Sequence, residues 1–319
     1  MKIALITPAR PGAHNGNRNT ATRWARLLKE DGHQVKVQFE WNGEHVDLML
    51  ALHARRSYPS IARFSEAQPH KPLVVVLTGT DLYRDIQTDR HARHSLALAT
   101  RLVVLQDQGL VQLAPSLRGK TRVVYQSAQT PPSVTQASRF FQVCVIGHLR
   151  EEKDPLRCAL ALRHVPTASR IRVIQVGRAL QPELAVRARE LMNRLSAYRW
   201  LDGLPHWAAR RKLAQSHLMV ISSRMEGGAN VIAEAVQCRV PVLASRIPGN
   251  VGMLGADYHG YFALGDERAL ATLLWRAESG SAYYQLLQQQ CAARRHLFEP
   301  RSEAQALATL LSELESAPA

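Results

Sequence analysis

The stretch Ser223-Arg-Met-Glu226-Gly227-Gly228-Ala-Asn230-Val-Ile-Ala-Glu234-Ala, followed by Gln237-Cys-Arg-Val-Pro241-Val-Leu-Ala-Ser245, decides how this chain is read. An apolar strand ending at Ser222 precedes it, another opens at Pro241, and the apolar spacing between them is helical. A strand, loop, helix and strand in that order belong to a parallel sheet covered by helices. Glu226 falls in the strand-to-helix loop and Glu234 about one turn into the helix, so both carboxylates can point into one cleft at the carboxyl edge of the sheet. Gly227 and Gly228 leave the backbone bare enough for a ligand to approach closely. The helix behind them offers free N–H groups to anionic oxygens, which suits a sugar diphosphate.

Outward from this unit the same alternation runs along the whole chain. In the first half, strands are predicted to begin at Lys2, Gln34, Asp47, Leu73, Arg101 and Arg122. Ala21, Trp24, Ala25 and Leu28 recur at helical spacing between the first two, and Gly32 ends that helix. The second half restarts with strands near Phe140–Ile146, Ile171–Val176, Tyr198–Leu201, Leu218–Ser222 and Pro241–Ala244. Between the halves, residues 127–138 are polar, carry a Pro pair and have no period, which reads as a linker. The 319 residues suit two domains. The expected division is residues 1–130, residues 139–298, and a last amphipathic helix in 299–319, bearing Ala304, Leu307, Leu310, Leu311 and Leu314, that packs back on the first domain.

Four further segments carry chemistry. Val145-Ile-Gly147-His-Leu-Arg150-Glu-Glu-Lys153-Asp-Pro155 lies between a buried strand and a helix. Asp154 is suited to the N-cap and Pro155 to the first helical position, which leaves Arg150 and Lys153 protruding from the loop. In the first half, Thr7-Pro-Ala-Arg10-Pro-Gly12-Ala-His14-Asn-Gly16-Asn17-Arg18-Asn19-Thr20 has the wrong glycine spacing for a dinucleotide fingerprint, yet it outlines an anion pocket at a helix N-terminus. His53, Arg55 and Arg56 follow the third strand, and Thr78-Gly79-Thr80-Asp81-Leu-Tyr83 the fourth. Both lie at carboxyl ends of parallel strands, and His53, Arg55 and Arg56 are expected to meet Arg18 and the first helix in one positive pocket. In the alternative reading, Arg55 and Arg56 only cap the next helix and His53 packs beneath them. His91 and His94 read as a solvated helix face, and no metal site is expected.

The formal charge of +15 raises nucleic acid, anionic membrane and anionic small molecules as partners. The basic residues are dispersed and only 6% of residues are aromatic, which disfavours a base-stacking platform. No export signal is read after Met1, and Cys144, Cys158, Cys238 and Cys291 form no Cys-x-x-Cys pair, so reduced thiols and a cytoplasmic location are expected. A regulatory protein that binds nucleic acid would explain the charge and is kept as the rival from another class.

The Glu-x7-Glu loop and helix with the following Pro241-Val-Leu-Ala strand resembles the donor-site signature of the retaining family 4 glycosyltransferases of GT-B fold, two Rossmann-like domains with a ligand cleft between them. The resemblance implies that Glu226, Gly227, Gly228 and Asn230 face sugar and phosphate. It implies that Glu234 holds the ribose, and that Gly147, Arg150 and Lys153 form a basic turn neutralising the leaving diphosphate. Gly228, where the family often has a larger residue, and His148, in place of a common Arg, depart from the pattern. Thr-Pro-Ala-Arg-Pro-Gly, Gly-Asn-Arg-Asn-Thr-Ala, Leu-His-Ala-Arg-Arg-Ser, Leu-Thr-Gly-Thr-Asp-Leu-Tyr and Val-Tyr125-Gln126-Ser127 narrow the resemblance to the selenosugar synthases of bacterial selenoneine biosynthesis. That implies a UDP-sugar donor such as UDP-N-acetylglucosamine, selenophosphate as nucleophile, and no cofactor. The acceptor would be held by Asn17, Arg18, Asn19, Thr20, His53, Arg55, Arg56 and Thr80. His53, Arg150, Lys153 and Glu226 would take part in the chemistry. A family 4 enzyme acting on a hydroxyl of a lipid or polysaccharide is the alternative; neither nucleic acid nor stable membrane insertion is expected of the favoured reading.

Overall fold

The computed structural model describes residues 1–12, 15–132, 134–136 and 139–315. Ala13 and His14 of the first loop, Ser133, Ala137 and Ser138 of the expected linker, and residues 316–319 lie outside the described residues. The chain divides into two compact units: Met1–Ser127 with Glu226–Gly228 and the helix Pro300–Glu315, and Ala128–Met225 with Ala229–Glu299.

The first unit is built on β1 (Lys2–Ile6), β2 (Gln34–Gln38), β3 (Leu48–Leu52), β4 (Leu73–Leu77), β5 (Arg101–Val104) and β6 (Thr121–Val123). They form one parallel sheet in the order β2-β1-β3-β4-β5-β6. Two of these strands begin one residue away from the predicted Asp47 and Arg122. Leu-Met-Leu-Ala-Leu in β3 and Leu-Val-Val-Val-Leu in β4 are buried at every position, as strands covered on both faces must be. The helix Gly16–Glu30 buries Ala21, Trp24, Ala25, Leu27 and Leu28. Leu307, Leu310, Leu311 and Leu314 of the last helix join the same core as Trp24, Leu28, Leu5 and Leu50.

One buried carboxylate secures that last helix. Glu303, 1% exposed, accepts from Arg23 Nε at 2.7 Å, from Trp24 Nε1 at 2.7 Å, and from the backbone N and Oγ of Ser127 at 3.0 and 2.5 Å. Both carboxylate oxygens are therefore occupied, and the charge is matched by a guanidinium. Sequence spacing identified the helix through its leucines but gave no sign of this anchor.

The second unit contains β7 (Phe141–Ile146), β8 (Ile171–Val176), β9 (Tyr198–Trp200), β10 (Leu218–Ile221), β11 (Val242–Ser245) and β12 (Tyr261–Phe262), parallel and ordered β12-β11-β10-β7-β8-β9. Two-residue β12 escaped prediction because it is too short to show a period. Each sheet reverses its direction of winding once, between β1 and β3 in the first and between β7 and β10 in the second. Loops at the carboxyl ends of such strand pairs splay apart and leave a crevice for ligands. The four cysteines are free thiols, three buried and Cys238 half-buried. Among the described residues no helix is long and apolar enough to cross a membrane.

Substituting Glu303→Gln removes the charge that pairs with Arg23 but keeps the shape. Unfolding in denaturant should show a loss of about 3 kcal/mol. Unchanged stability would mean that the leucine face alone holds the helix.

Candidate functional site

In the second unit, the loop after β7 is held on both sides. Gly147 N donates to Val176 O at 2.9 Å and Leu149 N to Arg178 O at 2.9 Å, so pairing with the β8 segment continues past both strands. Gly177, at φ 152°, must be glycine because an added methyl would sit on the Gly147 carbonyl. On the other side, Arg224 N donates to Glu152 O at 2.8 Å and Ser222 Oγ to Asp154 O at 2.8 Å, tying the turn to the segment after β10. Arg150 and Lys153, both half-buried, are thus carried by a braced turn at the winding reversal.

The expected cap at Asp154 is corrected. Residues Glu151–Lys153 form a single 3-10 turn, Asp154 closes it in the left-handed conformation at φ 42°, and the following helix starts at Arg157. The Asp154 carboxylate instead pairs with Arg157 Nε at 2.9 Å, and Arg157 also meets Glu267. A helical backbone could not turn back toward Ser222 within so few residues, so the cap position gives way to the turn.

After β10, Asn230 opens the helix Asn230–Gln237 and Glu234 lies one turn in. The Glu234 carboxylate is largely buried and meets His206 Nε2 at 2.8 Å. Gly147, Arg150, Lys153, Asn230 and Glu234 therefore all stand at the carboxyl ends of β7 and β10 or on the helix that follows. Glu226, Gly227 and Gly228 are grouped with the first unit. There a side chain on Gly227 would strike the Thr78 carbonyl, and one on Gly228 would strike Leu105 Cβ. These glycines are required by the protein's own packing.

In the first unit, Asp81 is fully buried and gathers three backbone donors: Thr78 N at 2.9 Å, Gly79 N at 2.8 Å and Ala54 N at 3.0 Å. It joins the ends of β3 and β4. His53, 2% exposed, sits between them in the left-handed conformation at φ 73°. Arg56 N donates to His53 Nδ1 at 3.3 Å, so the ring proton is on Nε2, which lies 3.0 Å from Thr80 Oγ1. Burial holds His53 below its ordinary value of 6.5, outweighing the opposing pull of Asp81. The imidazole is a neutral donor to Thr80.

The other acceptor residues do not gather as expected. Arg55 Nε is paired with Asp85 at 2.8 Å, and Arg56 is exposed. Neither caps the helix Tyr58–Ala67. Asn17, Arg18, Asn19 and Thr20 already lie within the helix Gly16–Glu30, whose cap is Asn15 accepting from Arg18 N. Arg18 lines a groove with Thr22, Ala25, Arg26, Lys29, Glu30 and Val37, beside edge strand β2. Thr20 is buried, its hydroxyl donating to Gly16 O at 2.9 Å and lying against the Gln126 amide. His91 stacks on Tyr58 with centroids 4.2 Å apart, and His94 meets the Tyr58 hydroxyl at 3.1 Å.

Residues 129–289, half of the chain, match the family profile of the glycosyl transferases group 1. The chain belongs to the group 1 glycosyltransferases. A Xenopus tropicalis relative, glycosyltransferase 1 domain-containing protein 1, is 24% identical over 281 residues, 80% of this chain and 81% of the relative. Among solved structures, Anabaena HepE in complex with UDP and glucose superposes with TM-score 0.78 at 17% identity, covering 98% of this chain and 100% of that one. Sucrose-phosphate synthase from Thermosynechococcus elongatus gives 0.81 at 16% identity over 99% and 100%. At those identities the likeness is one of fold, and the fold of this glycosyltransferase is GT-B.

His206 and Gln106 belong to no motif spacing, and Tyr83, quoted within the segment after the fourth strand, has no role assigned to it there; what all three do becomes visible only through the side chains they touch.

His53 makes a pH test possible. Its lowered value means the unfolded chain binds the proton more tightly, so its contribution to stability is complete above about pH 6.5 and declines as pH falls from there toward the folded value. Comparing unfolding across this range with His53→Asn, which tolerates the left-handed backbone, should show the native chain losing more stability on acidification. Parallel curves would mean that folding leaves the proton affinity of His53 unchanged.

Proposed function

We propose that this glycosyltransferase moves the sugar of a UDP-sugar, UDP-N-acetylglucosamine foremost, onto the selenium of selenophosphate. A selenium lone pair forms the C1–Se bond while the C1–O bond breaks, its electrons leaving with UDP. Hydrolysis of the Se–P bond then yields phosphate and the selenosugar. The observation that carries the reading is the braced turn bearing Arg150 and Lys153 beside the helix bearing Glu234, on the two strands where the second sheet reverses. Cations there oppose the charge that grows on the diphosphate as the anomeric bond breaks. Glu234 is suited to accept from the ribose hydroxyls. The UDP held by the HepE structure supports the donor class. Selenophosphate rests on the resemblance of the first-half motifs to selenosugar synthases.

The nucleophile is anionic and soft, so a strong base is less needed than for a sugar hydroxyl. In this reading neutral His53 orients through Thr80, Glu226 meets the sugar, and catalysis comes mainly from proximity and electrostatics. The reading carries with it a cytoplasmic location and no metal or bound cofactor.

Purified protein incubated with UDP-N-acetylglucosamine should release UDP only when selenophosphate is added, with a selenium-bearing sugar detected by mass spectrometry. Release that requires a hydroxylated acceptor would replace this proposal by the lipid or polysaccharide reading. Arg150→Ala should lower turnover about 100-fold or more, and Glu234→Ala should raise the donor KM about tenfold with kcat less affected.

A further inference from the structure

The turn after β4 holds two hydroxyls whose hydrogen-bond directions are set from both sides. Thr80 and Tyr83 lie three positions apart, where the chain passes into a single π-helical turn, Asp81–Asp85. Such turns recur at functional sites. On one side, after β3, neutral His53 donates from Nε2 to Thr80 Oγ1. On the other, after β5, fully buried Gln106 accepts from Gly109 N at 3.1 Å through Oε1, so its Nε2 faces Tyr83 and donates to the phenol oxygen at 2.9 Å. β3 and β5 are the two neighbours of β4 in the sheet.

A hydroxyl that already receives a bond is left to donate its own proton elsewhere. Among the described residues no acceptor takes the proton of Thr80 or that of Tyr83. Both side chains are half-buried, open enough to meet a ligand and enclosed enough to strengthen the bond. Burial pushes the Tyr83 phenol up to about 12, against the lowering bond from Gln106 and with the charge of Glu226 adding to the rise, so it stays protonated. Two neutral donors, each polarised by a neutral donor behind it, suit a group with several acceptor oxygens and negative charge.

We infer that Thr80 and Tyr83 form a two-hydroxyl clamp for a tetrahedral oxyanion, the phosphoryl group of the acceptor. Tyr83 is the new member, and Gln106 and His53 position the pair. The inference deepens the proposed function and rests on it for the acceptor's identity, while the clamp itself concerns only an oxyanion. A phosphoryl-type oxyanion has two sources in the reaction, the acceptor and the UDP diphosphate; the clamp is assigned to the acceptor because Arg150 and Lys153 are reserved for the diphosphate.

Inorganic phosphate and UDP are the probes, titrated separately into the full chain by calorimetry. Tyr83→Phe should weaken phosphate about tenfold and Thr80→Val similarly, with Thr80→Ser restoring it, and UDP affinity should stay within twofold throughout. Circular dichroism melting of each variant checks folding, and the pair Thr80→Val and Thr80→Ser keeps the test informative if Tyr83→Phe misfolds. Absence of phosphate binding to the native chain, an unchanged affinity in both Tyr83→Phe and Thr80→Val, or an equal loss of UDP affinity would each overturn the clamp. Tyr83-dependent phosphate binding without selenophosphate turnover would leave the clamp standing and remove the selenium chemistry.

Discussion

A carboxylate with no access to water, Asp81, organises the first unit's ligand-facing edge. Its oxygens collect N–H groups from Thr78, Gly79 and Ala54, which have left their strands and have no ladder partner. Hydrogen bonds to a charged acceptor are each worth about 1.5–3 kcal/mol. Together they are enough to hold His53 in a left-handed backbone that a bulky residue otherwise avoids, at a cost of about 1–3 kcal/mol. With β3 and β4 joined in this way, the imidazole can reach Thr80, and the turn that follows carries Tyr83 to the Gln106 amide. The chemistry of the edge is built from neutral groups whose orientation depends on one buried charge.

The second unit solves a related problem by different means. Its basic turn is positioned by backbone bonds to the segments after β8 and β10, and by Gly177, where any side chain would displace the Gly147 carbonyl. Cations on a loop are ordinarily solvated and mobile. Here the bonds on both flanks, together with the left-handed residue at Asp154, fix where the stems of Arg150 and Lys153 emerge. Glu234 is carried by a regular helix and needs no such bracing.

Opposed charge is used sparingly at these edges despite a formal excess of +15. Arg55 is matched by Asp85, Arg157 by Asp154 and Glu267, and Arg23 by Glu303. Sequence reading assigned Arg55 to a ligand because an arginine at the end of a parallel strand is suited to that role. A carboxylate thirty positions away had a competing claim that no local pattern reveals.

The architecture was legible in the residue pattern because burial on both faces forces apolar strands, and amphipathic helices must alternate with them; both are properties of neighbours along the chain. The order of the Glu-x7-Glu and basic-turn motifs was legible for the same reason, since each is one loop followed by one helix. Which acceptor residues face a ligand was not. Thr20 turned inward, Arg18 lined another groove, and the glycine pair answered to packing. Tyr83 gained meaning from Gln106, and His53 gained its tautomer from the backbone N–H of Arg56, close in sequence but oriented by a left-handed turn. Local periodicity determines which segments become strands and helices. The direction of a hydrogen bond depends on groups brought together from separate strand ends, and only the folded chain decides it.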